Sequence, residues 1–369
     1  MTVAGVAMVV LVAAGVVAWR VTTAQRTDPL RPAADGIGVL FTDLPAQLRR
    51  PAQVADLPTD RAVGQGVLIY HAKVDASSYD PTDRTFDQND VYLVTRSGGH
   101  FRLGRTPEVT GPLNLSLSPD GRWLGAKRDG RWRVRDLSGT TEHEVADGYE
   151  LWRWSTDARS LLLFTSEAEG RVFATMALPG GDVRLLNVRT SPVGIEVAFI
   201  AGRELAVFDA NPLVDPSATQ QAKINLKDVL TGASRTLPVV GPGQLRPGEA
   251  FGPIFVPWHA GGSPPTIWME VGRPDLVPTD SPEGPLVVPS VALLGVDVTS
   301  GAPTARIEMP STDADGRQRC LGVVDDGVVL QRWTASSTEL VVVDPRSGTR
   351  RVVTTFPETV TVLVPGALV

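Results

Sequence analysis

The 369-residue sequence contains a single cysteine, Cys320. That excludes an intramolecular disulfide and any metal centre built on several thiolates. Free cysteine is among the most buried residue types, and "LGVV" follows Cys320, so it reads as a small apolar core residue. Histidine is nearly as scarce. His71, His100, His143 and His259 are the only four, and no H-x-x-x-H spacing occurs. Each reads as a strand or rim residue, and His259, directly after Trp258, is the first to inspect for a channel site. There is no basic surplus either: 35 Lys and Arg stand against 41 Asp and Glu, a formal net charge of −6. That balance argues against generic nucleic-acid binding.

Catalytic signatures are missing. No G-x-S-x-G occurs, and "GGSPP" at 261–265 lacks the second glycine of a nucleophile elbow. "GPGQLRPGEAFG" is glycine-rich but has no Lys-Ser/Thr pair and no helix pattern after it, so it reads as a loop. Carboxylates are numerous, but nothing selects a glycosidase pair among them. The loop "DASSYDPTDRTFDQND" offers Asp80, Asp83, Asp87 and Asp90 as a Ca²⁺ candidate. Its spacing matches no EF-hand, and its charges can equally be solvated. No cofactor is expected.

One long apolar run exists. Residues 3–19, "VAGVAMVVLVAAGVVAW", carry no charge. As a helix they rise about 25 Å, the short end of a bilayer span, and Trp19 and Arg20 sit where interfacial anchors belong. The expectation is one transmembrane helix or signal anchor over 1–20, with cleavage near "VTTA" as the rival. No cysteine follows the run, so a lipid-anchored lipoprotein is excluded. Arg20, Arg26 and Arg31 follow the run and no Lys or Arg precedes it, which by the positive-inside rule places the rest in the cytoplasm; long domains nevertheless translocate regardless of charge. Residues 21–62 lack periodicity and read as a flexible tether, partly packed on the domain C-terminal to it.

From residue 63 the pattern is repetitive. Short apolar strands run into a Gly-containing turn and out again at Gly98, Gly139, Gly180, Gly232, Gly301 and Gly348. The spacings are 41, 41, 52, 69 and 47 residues. Asp136, Asp228, Asp297 and Asp344 precede four of these glycines, as an Asx-turn closing a hairpin requires. A period of about 40–50 residues with four strands per unit is the signature of a β-propeller. "NPLVDPSATQQ" (211–221) and "GRPDLVPTDSPEGPLVVPS" (272–290) read as loop insertions and candidate contact regions. Alternation places Trp152 and Trp154 on one strand face, either as inter-blade packing or as an aromatic platform.

The stretch "LSLSPDGRWLGAKRDGRWRVRDLSG" resembles a repeat of WD-repeat-like and TolB-like propellers at Ser118, Pro119, Asp120, Gly121 and Trp123. The Trp-Asp dipeptide of true WD repeats is absent. The sequence thus predicts an all-β fold: a six-bladed propeller over 63–369, or seven blades if 21–62 hides strands. Only three strands precede the second unit, so the C-terminal strand 358–366 is expected to close the ring. The resemblance implies a membrane-tethered scaffold or sensor of the cell envelope. Its propeller lies outside the cytoplasm and binds a protein, peptide or ligand without catalysis. The alternative is an envelope polysaccharide or lactone hydrolase or lyase with its site at the channel.

Overall fold

The computed structural model describes residues 44–73, 89–105, 114–155, 157–167, 170–190, 195–201, 204–209, 224–228, 231–237, 245–255, 266–273, 290–309, 318–324, 327–334, 336–344 and 347–366. Among them every element is a β-strand, and no helix is long and apolar enough to cross a membrane. The expected anchor at 1–20 lies outside the described residues.

A short strand β1 (Ala55–Asp56) precedes the first run, β2 (Gly66–Lys73), β3 (Asn89–Thr95) and β4 (His100–Arg105). The second sheet is β5 (Leu115–Leu117), β6 (Trp123–Arg128), β7 (Arg131–Asp136) and β8 (Glu142–Glu144). The third is β9 (Glu150–Trp154), β10 (Ser160–Glu167), β11 (Gly170–Ala177) and β12 (Val183–Thr190). The fourth is β13 (Ile195–Ala201), β14 (Glu204–Asp209), β15 (Ile224–Asp228) and β16 (Ser234–Thr236). The fifth is β17 (Ala250–Phe255), β18 (Thr266–Gly272), β19 (Ser290–Asp297) and β20 (Pro303–Glu308). The sixth is β21 (Gln318–Val324), β22 (Gly327–Trp333), β23 (Thr338–Val343) and β24 (Arg350–Phe356), and β25 (Val360–Leu363) comes after it.

The sequence reading counts six like blades. Five sheets are each one four-stranded meander, whereas the first has five strands in the order β1-β4-β3-β2-β25 and is assembled from both ends of the domain. No seventh sheet is present among the described residues.

The sheets stack into a ring because their strands are apolar on both faces. On β2, Leu68, Tyr70 and Ala72 pack toward the sixth sheet, while Ile69 packs toward the second. On β18, Ile267, Met269 and Val271 face the fourth sheet and Trp268 faces the sixth. On β23, Leu340 and Val342 face the first sheet and Val341 and Val343 the fifth. A period of two thus serves two interfaces at once, which is why these strands read as unbroken apolar runs. Trp132 and Val134 meet Leu161 and Met176 between the second and third sheets. Strand β9 contacts β13 to join the third to the fourth.

Both chain ends hold the seam between the sixth and first sheets. Strand β25 pairs antiparallel with β2, with Val362 opposite Tyr70. Side chains of the sixth sheet bind its backbone: the fully buried Gln331 amide donates to Val360 O at 2.7 Å and accepts from Val362 N–H at 3.2 Å. Thr338 Oγ1 accepts from Val360 N–H at 2.9 Å, and Trp333 Nε1 donates to Val360 O at 2.9 Å.

The N-terminal segment forms a belt outside this closure. Leu48 N–H donates to Thr355 O at 2.9 Å and Thr355 N–H to Ala46 O at 3.0 Å, on the outer edge of the sixth sheet. β1 then pairs in parallel with β4 on the first. The Arg135 guanidinium of the second sheet donates to the carbonyls of Pro58 and Arg61, and Val63 and Gly64 N–H both donate to Leu137 O. Leu48 is buried within the cluster of the seam. Residues 44–62 are thus the part of this segment that packs on the domain. From 44 onward they are built onto three sheets, because backbone donors on open outer strands are satisfied by an added strand.

The Ser-Pro-Asp-Gly turn shows how local chemistry sets each blade. Ser118 Oγ donates to Asp120 Oδ1 at 2.6 Å and accepts from Trp123 N–H at 2.8 Å, while Arg122 N–H donates to Asp120 Oδ1 at 3.0 Å. The third sheet repeats the bonds with a different sequence. Ser155 Oγ donates to Asp157 Oδ1 at 2.6 Å, Arg159 N–H donates to Asp157 at 3.1 Å and Ser160 N–H to Ser155 Oγ at 2.9 Å. Ala158, at φ 57°, takes the left-handed place that Gly121 holds at φ 70°. Replacing Ser118 with Ala leaves the buried Trp123 N–H without its acceptor and the half-buried Asp120 carboxylate with one donor fewer. It is expected to cost about 1–3 kcal/mol, measured as a lowered urea midpoint at unchanged slope.

Candidate functional site: a cleft beneath the belt

Between its two edge pairings the belt leaves the outer strands and bows over the first sheet. A cleft of about 630 Å³ opens beneath it, lined by residues 50–54 of the belt, Asp90 and Tyr92 of β3 and Arg102 of β4. That volume lies within the range of small-ligand sites. Its floor is a polar network. Tyr92 Oη donates to Asp90 Oδ2 at 3.0 Å, and the Arg50 guanidinium is hydrogen-bonded to the same phenol. Arg102 Nε donates to Asp56 Oδ1 at 2.7 Å. Burial, then the Asp90 carboxylate, raises the Tyr92 phenol above its usual range, and Arg50 works in the opposite sense. The hydrogen bond and charge of Arg102 hold Asp56 below the usual carboxylate range. Behind Tyr92 lies Tyr70, their rings stacked at 5.1 Å. Tyr70 is fully buried, its hydroxyl has no hydrogen-bond partner among the described residues, and burial drives its ionisation far above the usual phenol value.

The cleft was not legible from sequence as a site. Of the proposed Ca²⁺ set, Asp80, Asp83 and Asp87 lie outside the described residues. Asp90 accepts the Tyr92 hydroxyl and shares the cleft with two arginines, surroundings that favour an anion over a cation. Among the described residues no three metal-ligating side chains gather. The three described histidines lie on separate strands. His71 is buried on β2; His100, on β4, meets the edge of Tyr70 at 6.4 Å, and burial lowers its pKa. His143, on β8, lies against Trp123 at 6.0 Å. His259 and Trp258 lie outside the described residues, as do the proposed contact region 211–221 and all but the ends of 272–290.

The turn residues act in hairpins. Gly232, Gly301 and Gly348 take φ 72°, 72° and 69°, and each donates its N–H to the carbonyl of the Asp four residues earlier: Asp228, Asp297 and Asp344. Each of these carboxylates also accepts backbone N–H groups of its own turn. Asp136 is used differently. It accepts Ser138 N–H at 2.9 Å and a two-pronged contact from Arg122, and Gly139 has no positive φ.

Trp152 and Trp154 face opposite ways, contrary to the alternation. The register of β9 on β10 skips between Leu162, opposite Arg153, and Leu163, opposite Leu151. The extra residue turns Trp152 toward Phe164 and Phe173, under Arg171 at 4.9 Å, while Trp154 enters the second–third interface and donates to Ser116 Oγ at 2.6 Å. Trp154 packs between blades, Trp152 packs on side chains of its own sheet, and the two form no shared platform.

Sequence reading also missed Glu270. It lies on β18 on the face of Trp268, toward the cluster that includes Cys320, and has no ionic or hydrogen-bond partner among the described residues. Burial raises its carboxyl to about 7. Burial, then the Glu270 charge, pushes the Cys320 thiol well above its usual value, which disfavours the thiolate. The signal was present: "TIWMEVG" is an acid within an apolar strand covered on both faces.

No protein-family model matches this chain, and no curated protein matches it. Among solved structures it is similar to TolB from Acinetobacter baumannii, at 14% identity over 77% of this chain with a TM-score of 0.47. The chain spans 62% of the length of that protein. It is also similar to a chain of the Nidogen/Laminin complex, at 10% identity over 79% of this chain and 98% of that one, TM-score 0.45. A third is the putative TolB from Agrobacterium tumefaciens, at 13% identity over 82% and 99%, TM-score 0.42. It is the sheet order and the stacked interfaces that make this chain a β-propeller.

Proposed function

We propose that this propeller is a non-catalytic binding module of the cell envelope, tethered to the membrane by the apolar run at 3–19 and binding a ligand or protein partner at the cleft beneath the belt. The observation that carries the reading is the cleft itself. It is a concave site on a rigid frame, walled by the segment that leads back toward the apolar run, and lined by groups suited to recognition. An enzyme at the channel requires convergent acids or histidines, and His71, His100 and His143 stand apart.

Two experiments test this. External protease on intact cells or protoplasts is expected to remove a C-terminal tag before lysis; a tag that survives until lysis places the propeller in the cytoplasm and refutes the envelope assignment. A photo-crosslinking residue at the exposed Gln53 is expected to capture a discrete species that the same residue at the exposed Asp147, between β8 and β9, does not. Equal capture at both positions refutes the cleft as the binding site.

A further inference from the structure

We infer that the cleft beneath the belt recognises the oxyanion of a small or short-chain acidic ligand through Arg50 and Arg102. The inference rests on the binding reading above and assigns its ligand chemistry. The lining holds Arg50 and Arg102 against one carboxylate, Asp90, and that carboxylate already accepts the Tyr92 hydroxyl. Asp56 balances Arg102 from outside the lining, so an anion that displaces this exposed carboxylate meets two guanidiniums. Guanidinium groups lining a recess raise the local concentration of anions at its mouth. Guanidinium supplies five N–H donors in a planar fork that matches a carboxylate or phosphate. Arg102 has its Nε occupied by Asp56, which orients the fork and leaves its outer donors for a ligand.

Asp56 competes with a bound anion for Arg102. It is not part of the cleft lining, and its side chain is 73% exposed, against 37% for Arg102. Removing its charge frees a cation without disturbing the core. This gives a test whose sign a purely structural role does not reproduce.

The measurement is calorimetric titration of the full-length protein in detergent at low ionic strength. The probes are inorganic phosphate and an N-acetylated tri-glutamate amide, which separate a phosphate source of the oxyanion from a carboxylate source. One probe is expected to bind wild type. Its affinity is expected to fall at least tenfold in Arg50→Gln and in Arg102→Gln, to rise about threefold in Asp56→Asn, and to weaken with added salt. The inference is overturned if neither probe binds, if the arginine variants bind as wild type does, or if Asp56→Asn weakens binding. Specific capture at Gln53 with no anion binding overturns this inference alone and leaves the binding reading standing.

Discussion

Gly121→Ala is expected to destabilise the propeller by on the order of 3 kcal/mol, far more than the same substitution at Gly130 nearby. Both glycines have left-handed backbones, φ 70° and 79°. A methyl group at Gly130 meets nothing within 4 Å, so its cost is the left-handed penalty alone, about 1 kcal/mol. At Gly121 the added Cβ falls 2.1 Å from the carbonyl oxygen of Gly66, where the belt turns inward to begin β2. Gly66 N–H donates to Gly121 O at 2.7 Å, so the two backbones touch face to face. Relief requires moving the first sheet off the second, and that breaks the bond. Urea unfolding of the two variants under identical conditions checks this. Equal losses would show that the Gly66 contact contributes nothing and that conformation alone demands glycine at 121.

The same pair of glycines marks what the sequence could and could not reveal. Ser118, Asp120 and Gly121 identify a turn because their chemistry is local: a hydroxyl, a carboxylate and a positive φ closing on one another. The period of the turns, and the strand missing ahead of the second unit, come from spacing along the chain. Gly66 against Gly121 has no such signature, since it joins segments 55 residues apart. The belt escaped for a related reason. Its pairings at 46–48 and 55–56 are too short to carry an alternating pattern, and the cleft beneath it is created by where those pairings stop. Trp152 and Trp154 mislead in a third way: a single skipped residue inverts a face, and nothing in the alternation marks it.

Glu270 gives the second large effect, one with a definite dependence on pH. Below about pH 4.5, the usual value for glutamate, the carboxyl is protonated in both the folded and unfolded chains and contributes no pH dependence. Between 4.5 and about 7 the unfolded chain releases a proton that burial makes the folded chain keep, so stability falls as pH rises. Above 7 the folded chain carries the charge on a partly exposed side chain, and the penalty is constant, at most about 3 kcal/mol. The group that acts across the interface is the Cys320 thiol, itself held neutral by burial and by Glu270, so it offers no compensating charge. Glu270→Gln is expected to match wild type at pH 4 and to exceed it by up to about 3 kcal/mol at pH 8, with the difference opening between pH 4.5 and 7. Urea midpoints of the two proteins at pH 4, 6 and 8 decide the matter. Parallel curves across that range would mean that the folded state gives Glu270 a partner and an ordinary carboxylate pKa. A gain confined to high pH would mean that the fifth–sixth interface holds an uncompensated acid at a stability cost.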